Sequence, residues 1–274
     1  MEFFLSEIFY FSNMQKPIGI FDSGIGGTSI WREINTLLPD ENTIYLADSF
    51  NAPYGEKPRE KIIEFCIKNT ELLIEKGCKL IVVACNTATT NAIDILRNKF
   101  DIPFIGIEPA IKPAAINSTT NSVGILATKG TLSSSLFAKT SEEFAWNVKI
   151  TEQEGTGLVT LIESGKLHSD EMTNLLHNYL NPMLDKNIDY LVLGCSHYPY
   201  LVPQIKEILG YDVTIIDSGL AVAKQTKAIA EKFELLNNIK TTNSHQFYTN
   251  TDVAVIKQIL KDMHNYVQIS HLNF

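Results

Sequence analysis

The chain has 274 residues, enough for one large domain or two medium ones with a substantial core. Its 45% hydrophobic and 20% charged residues describe a soluble globular protein, and a net charge of -8 argues against nucleic acid as a partner. Four cysteines with neither a paired framework nor a Cys-x-x-Cys spacing suit a reducing, cytoplasmic setting rather than a disulfide scaffold.

Met1–Asn13 (MEFFLSEIFYFSN) is aromatic and apolar but too short to span a bilayer. It has no Lys or Arg ahead of its apolar part and no small-residue cleavage site, so it reads not as a signal peptide but as an N-terminal extension (1–13) or as a start assigned upstream of Met14, where the globular pattern begins. Ile18–Phe21 predicts a strand leading into Asp22-Ser23-Gly24-Ile25-Gly26-Gly27-Thr28. That loop is not a dinucleotide fingerprint, because Ser29 stands where the third glycine would fall, and no Gly-Lys-Ser/Thr follows to make a Walker A loop. Backbone N–H groups in a glycine-rich strand-to-helix turn can hold an anion, and a carboxylate at its head can meet an ammonium. The loop therefore suits a zwitterionic ligand.

Thr28–Leu38 reads as a helix, and Thr43–Ala47 as a second strand ending at Asp48 and the polar loop that carries Pro53-Tyr54-Gly55. Arg59–Lys76 is a long amphipathic helix in which Cys66, like Cys78 beyond it, serves packing. Leu80–Ala84 is a short apolar run rich in β-branched residues, the pattern of a strand buried on both faces. Cys85-Asn86-Thr87 then gives way to helical periodicity. A thiol at such a junction lies in the usual ligand crevice of an α/β sheet, where a helix N-terminus is expected to lower its pKa. Ile102–Ile107 is a further strand, ending at Glu108-Pro109.

The pattern then restarts. Val123–Ala127 is a strand ending at Thr128, with a helix from about Leu132; Lys149–Gln153 is a strand, and Gly157–Ser164 and Asp170–Leu184 are helices. Asp189–Leu193 is another buried strand, ending in Gly194-Cys195-Ser196-His197-Tyr198-Pro199, and Val213–Ile216 closes at Asp217-Ser218. Ile18 with Val123, Cys85 with Cys195, and Glu108 with Asp217 recur at a near-constant offset of about 110 residues, the mark of a duplicated α/β unit. The fold class expected is α/β, with two similar lobes related by pseudo-twofold duplication. Each lobe is a mainly parallel sheet flanked by helices, and the active site lies in the inter-lobe cleft. Residues 14–108 plus 220–274 form the lobe carrying Cys85, and 109–219 the lobe carrying Cys195. Beyond Phe233 the sequence suggests a strand and a helix packed near the first lobe.

Two opposed thiols restrict the chemistry. A metal centre lacks supporting ligand spacing, a redox pair would place its sulfurs on adjacent loops, and a cysteine-nucleophile hydrolase needs one thiol. A bilobed binding protein needs neither. Proton abstraction from one face of a carbon with delivery to the other uses both, and its outcome is racemisation.

Ile18–Gly27 (IGIFDSGIGG), Pro53-Tyr54-Gly55, Ala84–Ala88 (ACNTA), Glu108-Pro109 and Leu193–Pro199 (LGCSHYP) occur in the order and approximate spacing of the glutamate racemase motifs. From Pro17 to Phe233 the chain resembles that family, within the aspartate/glutamate racemase superfamily. The resemblance implies interconversion of L- and D-glutamate without a cofactor or metal, supplying D-glutamate for peptidoglycan. It implies that Cys85 takes the α-proton of the D-form and Cys195 that of the L-form, with Asp22 and His197 assisting. Asp22, Ser23, Pro53, Tyr54, Gly55, Asn86, Thr87, Thr128, Ser196 and His197 would hold the substrate, and Asp48 would stand behind them. Glutamate is thus the partner expected, with no nucleic acid and no membrane, and the oligomeric state stays open, a homodimer included. The chain departs from the family at Ser49-Phe50-Asn51, at Gly155-Thr156-Gly157 and at Ser196, where threonine is usual. His168, His177, His245, His264 and His271 lie outside these motifs.

Overall fold

The computed structural model describes residues 15–144, 148–237 and 243–274, so the extension read over 1–13 lies outside the described residues. The chain runs through β1 (Ile18–Asp22), α1 (Thr28–Leu37), β2 (Thr43–Ala47), α2 (Arg59–Glu75), β3 (Leu80–Val83), α3 (Asn86–Lys99) and β4 (Phe104–Gly106). A second series follows: α4 (Ile111–Asn117), β5 (Ser122–Ala127), α5 (Lys129–Leu132), α6 (Ser135–Phe144), β6 (Lys149–Glu154), α7 (Leu158–Glu163), α8 (Asp170–Leu184), β7 (Tyr190–Gly194), α9 (Val202–Leu209) and β8 (Thr214–Ile216). The chain ends with α10 (Gly219–Lys232), β9 (His245–Thr249), α11 (Ala254–Ile259) and β10 (Val267–His271).

Two parallel sheets result, ordered β10-β9-β2-β1-β3-β4 and β6-β5-β7-β8. With β9 and β10 set aside, each sheet has the same order: second, first, third, fourth. Every residue of β1, β2, β3 and β5 is buried, which is why these strands are uniform apolar runs and not alternating ones. Helices cover both faces, because each parallel connection must cross from one end of the sheet to the other.

Register positions the chemistry. Asp22 pairs with Ala47, Phe21 with Val83, and Ala127 with Gly194. The loops that begin at Asp22, Asp48 and Cys85 therefore leave the carboxyl edge of one sheet side by side. Those that begin at Thr128 and Cys195 leave the matching edge of the other.

The tail differs from the expected strand and helix. β9 pairs with β2, α11 crosses over, and β10 adds a further parallel strand. β10 (VQISH) is half exposed at the sheet edge, so it lacks the apolar run that marks the interior strands. The helix expected from about Leu132 begins earlier, at Lys129, where the Thr128 hydroxyl caps it by accepting from the Thr131 N–H at 3.3 Å. It breaks after Leu132, and the Ser134 hydroxyl accepts from the Phe137 N–H at 3.2 Å as the chain resumes in α6. α4 and α9 carry Pro113 and Pro203 in their first turns, where a missing N–H costs nothing but a sequence reading sees a breaker. Where the chain crosses between sheets, the Ser218 hydroxyl donates to the Glu108 carbonyl and ties the outgoing crossing to the returning one. Among the described residues no helix is long and apolar enough to cross a membrane.

Candidate active site

Cys85 caps α3 from the end of β3, and its Sγ accepts the Ala88 N–H at 3.4 Å and donates to the Ser23 hydroxyl at 3.6 Å. Burial pushes this thiol well above its usual pKa, the nearby Asp22 carboxylate adds to the rise, and the Ala88 N–H and Ser23 hydroxyl oppose it. The expected lowering by the helix N-terminus is thus overturned. One N–H group in a dry site offsets less than the loss of solvent costs. Burial likewise drives the Cys78 thiol up to about 12, and Cys66 higher still, in keeping with packing roles.

Cys195 follows β7 in the other sheet, and its Sγ lies 3.8 Å from His197 Nδ1. Cys85 and Cys195 line one narrow cavity of about 230 Å³, counting its open mouth. Its other walls are Ser23, Pro53, Tyr54, Gly55, Asn86, Thr87, Thr128, Val159, Ser196 and His197. Every residue read from the sequence as a contact is there except Asp22, and Val159 is the one wall residue the sequence reading did not name.

Asp22 is fully buried and connects to the cavity through Ser196, whose hydroxyl donates to Oδ1 at 3.1 Å. Burial raises its pKa, against the pull of His197, the Gly27 N–H and Ser196. Its Oδ2 accepts the N–H groups of Gly24 at 3.3 Å and Gly27 at 2.9 Å. The other two amides of the loop go elsewhere: Ile25 N–H donates to Glu163 Oε1 at 2.7 Å, and Gly26 N–H points at His197 Nε2 at 3.2 Å. The glycine-rich loop does gather carboxylates, as its type predicts, but they are the protein's own. Its glycines serve close approach: a Cβ on Gly24 would lie 1.9 Å from Glu163 Oε1, and one on Gly26 would lie 2.2 Å from the His197 ring.

Tyr54 lines the cavity, and its hydroxyl donates to Asp48 and accepts from Asn69 Nδ2 at 3.1 Å. Asp48 also accepts from Asn51 Nδ2 at 2.8 Å and Asn250 Nδ2 at 2.6 Å, so it stands behind the site and fixes the Pro53–Gly55 turn. Asn86 is buried, and both its side-chain nitrogen and oxygen lack a partner among the described residues. Buried amides are rarely left so, and this one faces the cavity wall that Cys85 shares.

Ser49 and Gly155, two of the departures from the family pattern, have clear local uses. The Ser49 hydroxyl donates to Glu163 Oε2 at 2.7 Å. Gly155 leaves room for Tyr198, whose hydroxyl donates to the Gly155 carbonyl at 3.2 Å and would lie 2.3 Å from any Cβ there. Glu163, on the helix that follows this segment, is the residue to which sequence reasoning gave no role. It ends α7 and contacts His197, Ile25 and Ser49 together. The only local signal was an acid closing an otherwise apolar helix, LVTLIE.

The Asp/Glu/Hydantoin racemase family profile matches residues 18–226. The chain is 50% identical over 210 residues to a glutamate racemase of Ralstonia pickettii, covering 77% of this chain and 74% of that one. It is 42% identical over 244 residues to a glutamate racemase of Herpetosiphon aurantiacus, covering 89% and 96%. Among solved structures, Escherichia coli glutamate racemase with L-glutamate and the activator UDP-MurNAc-Ala matches with a TM-score of 0.82 at 33% identity, covering 94% and 98%. Francisella tularensis glutamate racemase with D-glutamate matches with 0.79 at 31%, again covering 94% and 98%.

Proposed function

The chain belongs to the Asp/Glu/hydantoin racemase family, and its likeness to glutamate racemases makes it an isomerase of that kind; from this premise we infer a two-cysteine, cofactor-independent mechanism. The observation that supports it is the pair of buried thiols, one from each sheet, in the walls of a single cavity. The α-protons of L- and D-glutamate leave from opposite faces of the carbon, so a thiolate on one wall removes a proton while the thiol on the other supplies one. Cys85 serves the D-form and Cys195 the L-form, with Asp22 and His197 as their polar partners.

The α-proton is weakly acidic, and the site must stabilise the charge that develops when it leaves. The unpartnered Asn86 amide, with two donors and an acceptor, suits a group carrying both ammonium and carboxylate. Ser23, Gly55, Thr87, Thr128 and Ser196 add hydroxyl and backbone donors from both lobes, and Pro53 and Tyr54 close the apolar side. We take 14–108 plus 220–274 as the first lobe and 109–219 as the second. The product supplies D-glutamate to peptidoglycan synthesis in the cytoplasm.

Incubation with L-glutamate in D₂O without added cofactor tests this. Circular dichroism should decay to zero while the α-proton signal disappears. An unchanged signal with glutamate and turnover of aspartate would overturn the substrate assignment.

A further inference from the structure

The family profile ends at residue 226, and β9 and β10 beyond it extend the first sheet with no counterpart in the second among the described residues. β9 lies beside β2 with Ala47 opposite Thr249, so the residues that follow them, Asp48 and Asn250, leave the carboxyl edge side by side. One amide then holds the loop at two points. Asn250 Nδ2 donates to Asp48 Oδ1 at 2.6 Å, and its Oδ1 accepts the Phe50 N–H at 2.9 Å. The Phe274 carbonyl stands 3.4 Å from the same Nδ2. Turned over, the amide would set its oxygen against the carboxylate and its nitrogen against an N–H, so these contacts fix its orientation. The run it holds, Ser49-Phe50-Asn51, is one of the places where the chain departs from the family pattern.

Asp48 is buried, and burial raises its pKa against hydrogen bonds from Tyr54, Asn250, Asn51 and Asn69. All four partners are neutral. A buried carboxylate held without a cation depends on such bonds, and each is worth more than a bond between two neutral groups. Tyr54 and Asn51 belong to the same loop as Asp48 and move with it. Asn69 on α2 and Asn250 beyond β9 hold the loop from outside, and of these two Asn250 also grips the Phe50 N–H. What the loop carries onward is cavity wall, for Pro53, Tyr54 and Gly55 all line it. That wall has no slack: a Cβ on Gly55 would lie 2.8 Å from Thr128 Cβ.

We propose that Asn250 is a positioning residue for the substrate: through Asp48 and Tyr54 it sets where the Pro53–Gly55 wall stands against glutamate, although it does not itself line the cavity. This rests on the reading of the cavity as the glutamate site, and it extends control of that site into the chain beyond the family profile. The bonds of Asn250 go to Asp48, Phe50 and Phe274 and not to either thiol. The wall meets the substrate before and during proton transfer alike. Its displacement should therefore weaken binding and leave the chemical step alone.

Steady-state kinetics of the intact protein test the proposal, with glutamate-dependent shifts in melting temperature as a direct readout of binding. Asn250→Leu keeps the volume and removes both donor and acceptor. KM for L- and D-glutamate should rise by roughly 5–50-fold with kcat within about twofold. Asn250→Asp has the same shape but sets a second carboxylate against Asp48, and near neutral pH it should raise KM at least as much. It is read in place of Asn250→Leu should that variant fail to melt cooperatively. Tyr54→Phe cuts the same line one step nearer the cavity, so adding Asn250→Leu to it should raise KM by less than about twofold more. Thr251→Ala removes the neighbouring 3.2 Å contact between the Thr249 and Thr251 hydroxyls and should leave both constants unchanged. An unchanged KM in the Asn250 variants, or a fall in kcat at constant KM, overturns the proposal. So does full additivity of Asn250→Leu with Tyr54→Phe, or an equal rise in KM with Thr251→Ala. A wild type that turns over aspartate in place of glutamate overturns the substrate reading instead, and KM ratios taken with aspartate then decide the role of Asn250.

Discussion

Thr87 and Thr128 meet across the cleft, hydroxyl to hydroxyl, at 2.8 Å, and Thr131 completes the triangle at 3.3 Å and 3.0 Å. Thr87 opens α3 beside Cys85, while Thr128 and Thr131 belong to the turn after β5. The three oxygens therefore hold the two carboxyl edges together, and two of them, those of Thr87 and Thr128, belong to residues that also line the cavity. Asn91 reinforces the contact by donating from Nδ2 to the Gly130 carbonyl at 3.3 Å.

Thr131 is fully buried and does not line the cavity, so it acts by holding the other two. Thr131→Val keeps its shape and deletes one corner of the triangle. A neutral hydrogen bond of this kind contributes about 0.5–1.5 kcal/mol. Steady-state kinetics should show KM for glutamate rising by roughly 2–10-fold with kcat little changed.

Cys85→Ser and Cys195→Ser should each abolish racemisation in both directions. Loss of a positioned acid or base costs on the order of 10²–10⁴-fold, and serine is a far weaker base than a thiolate. Glutamate should still raise the melting temperature of both variants, because the binding groups stay in place. A variant that kept near-normal turnover would leave only one thiol in the chemistry.

Asn86→Leu should separate stability from function. Its buried amide lacks partners among the described residues, a cost on the order of 1–3 kcal/mol that an apolar side chain of similar size removes. The variant should melt at or above the wild-type temperature yet show neither activity nor a glutamate-dependent shift. A strongly lowered melting temperature would mean that the amide is structurally satisfied.

His245 should make the fold sensitive to acid. Trp31 Nε1–H donates to the Thr43 hydroxyl at 3.0 Å, and that hydroxyl shares a hydrogen bond of 2.9 Å with His245 Nδ1 in the interior. Burial lowers its pKa below that of the unfolded chain. Between those two values the unfolded state binds the extra proton, and stability must fall as pH drops below about 6.5. In His245→Asn the amide oxygen can take the place of Nδ1 and nothing titrates. Thermal melts should show a shallower decline for that variant between about pH 6.5 and the folded-state value.

Much of this was legible in the sequence because continuous apolar runs, such as Leu80–Val83 and Leu191–Leu193, can only be strands buried on both faces. The polar loops that follow them had to emerge at the carboxyl edges, and Ser23, Tyr54, Asn86, Thr128 and Ser196, named from the family resemblance, line the cavity there. What sequence could not show was how the polar groups pair. The amides of the Gly24–Gly27 loop read as free for a ligand and are spent on Asp22, Glu163 and His197. Glu163 gains its meaning only once α7 lies against that loop. β10 escaped notice because an exposed edge strand buries too little to leave a pattern.

The two sheets share one strand order, yet the two thiols have unlike neighbours: a histidine beside Cys195, a hydroxyl and a helix amide beside Cys85. For a reaction between mirror images this unlikeness has a fixed limit. The enantiomers have equal free energy in water, so kcat/KM must be the same in both directions for the wild type and for every variant. An uneven pair of walls can therefore shift only how that common value divides between kcat and KM. The hand that is bound more tightly is turned over more slowly by the same factor. The two copies of the frame were thus free to diverge in chemistry without ever favouring one product.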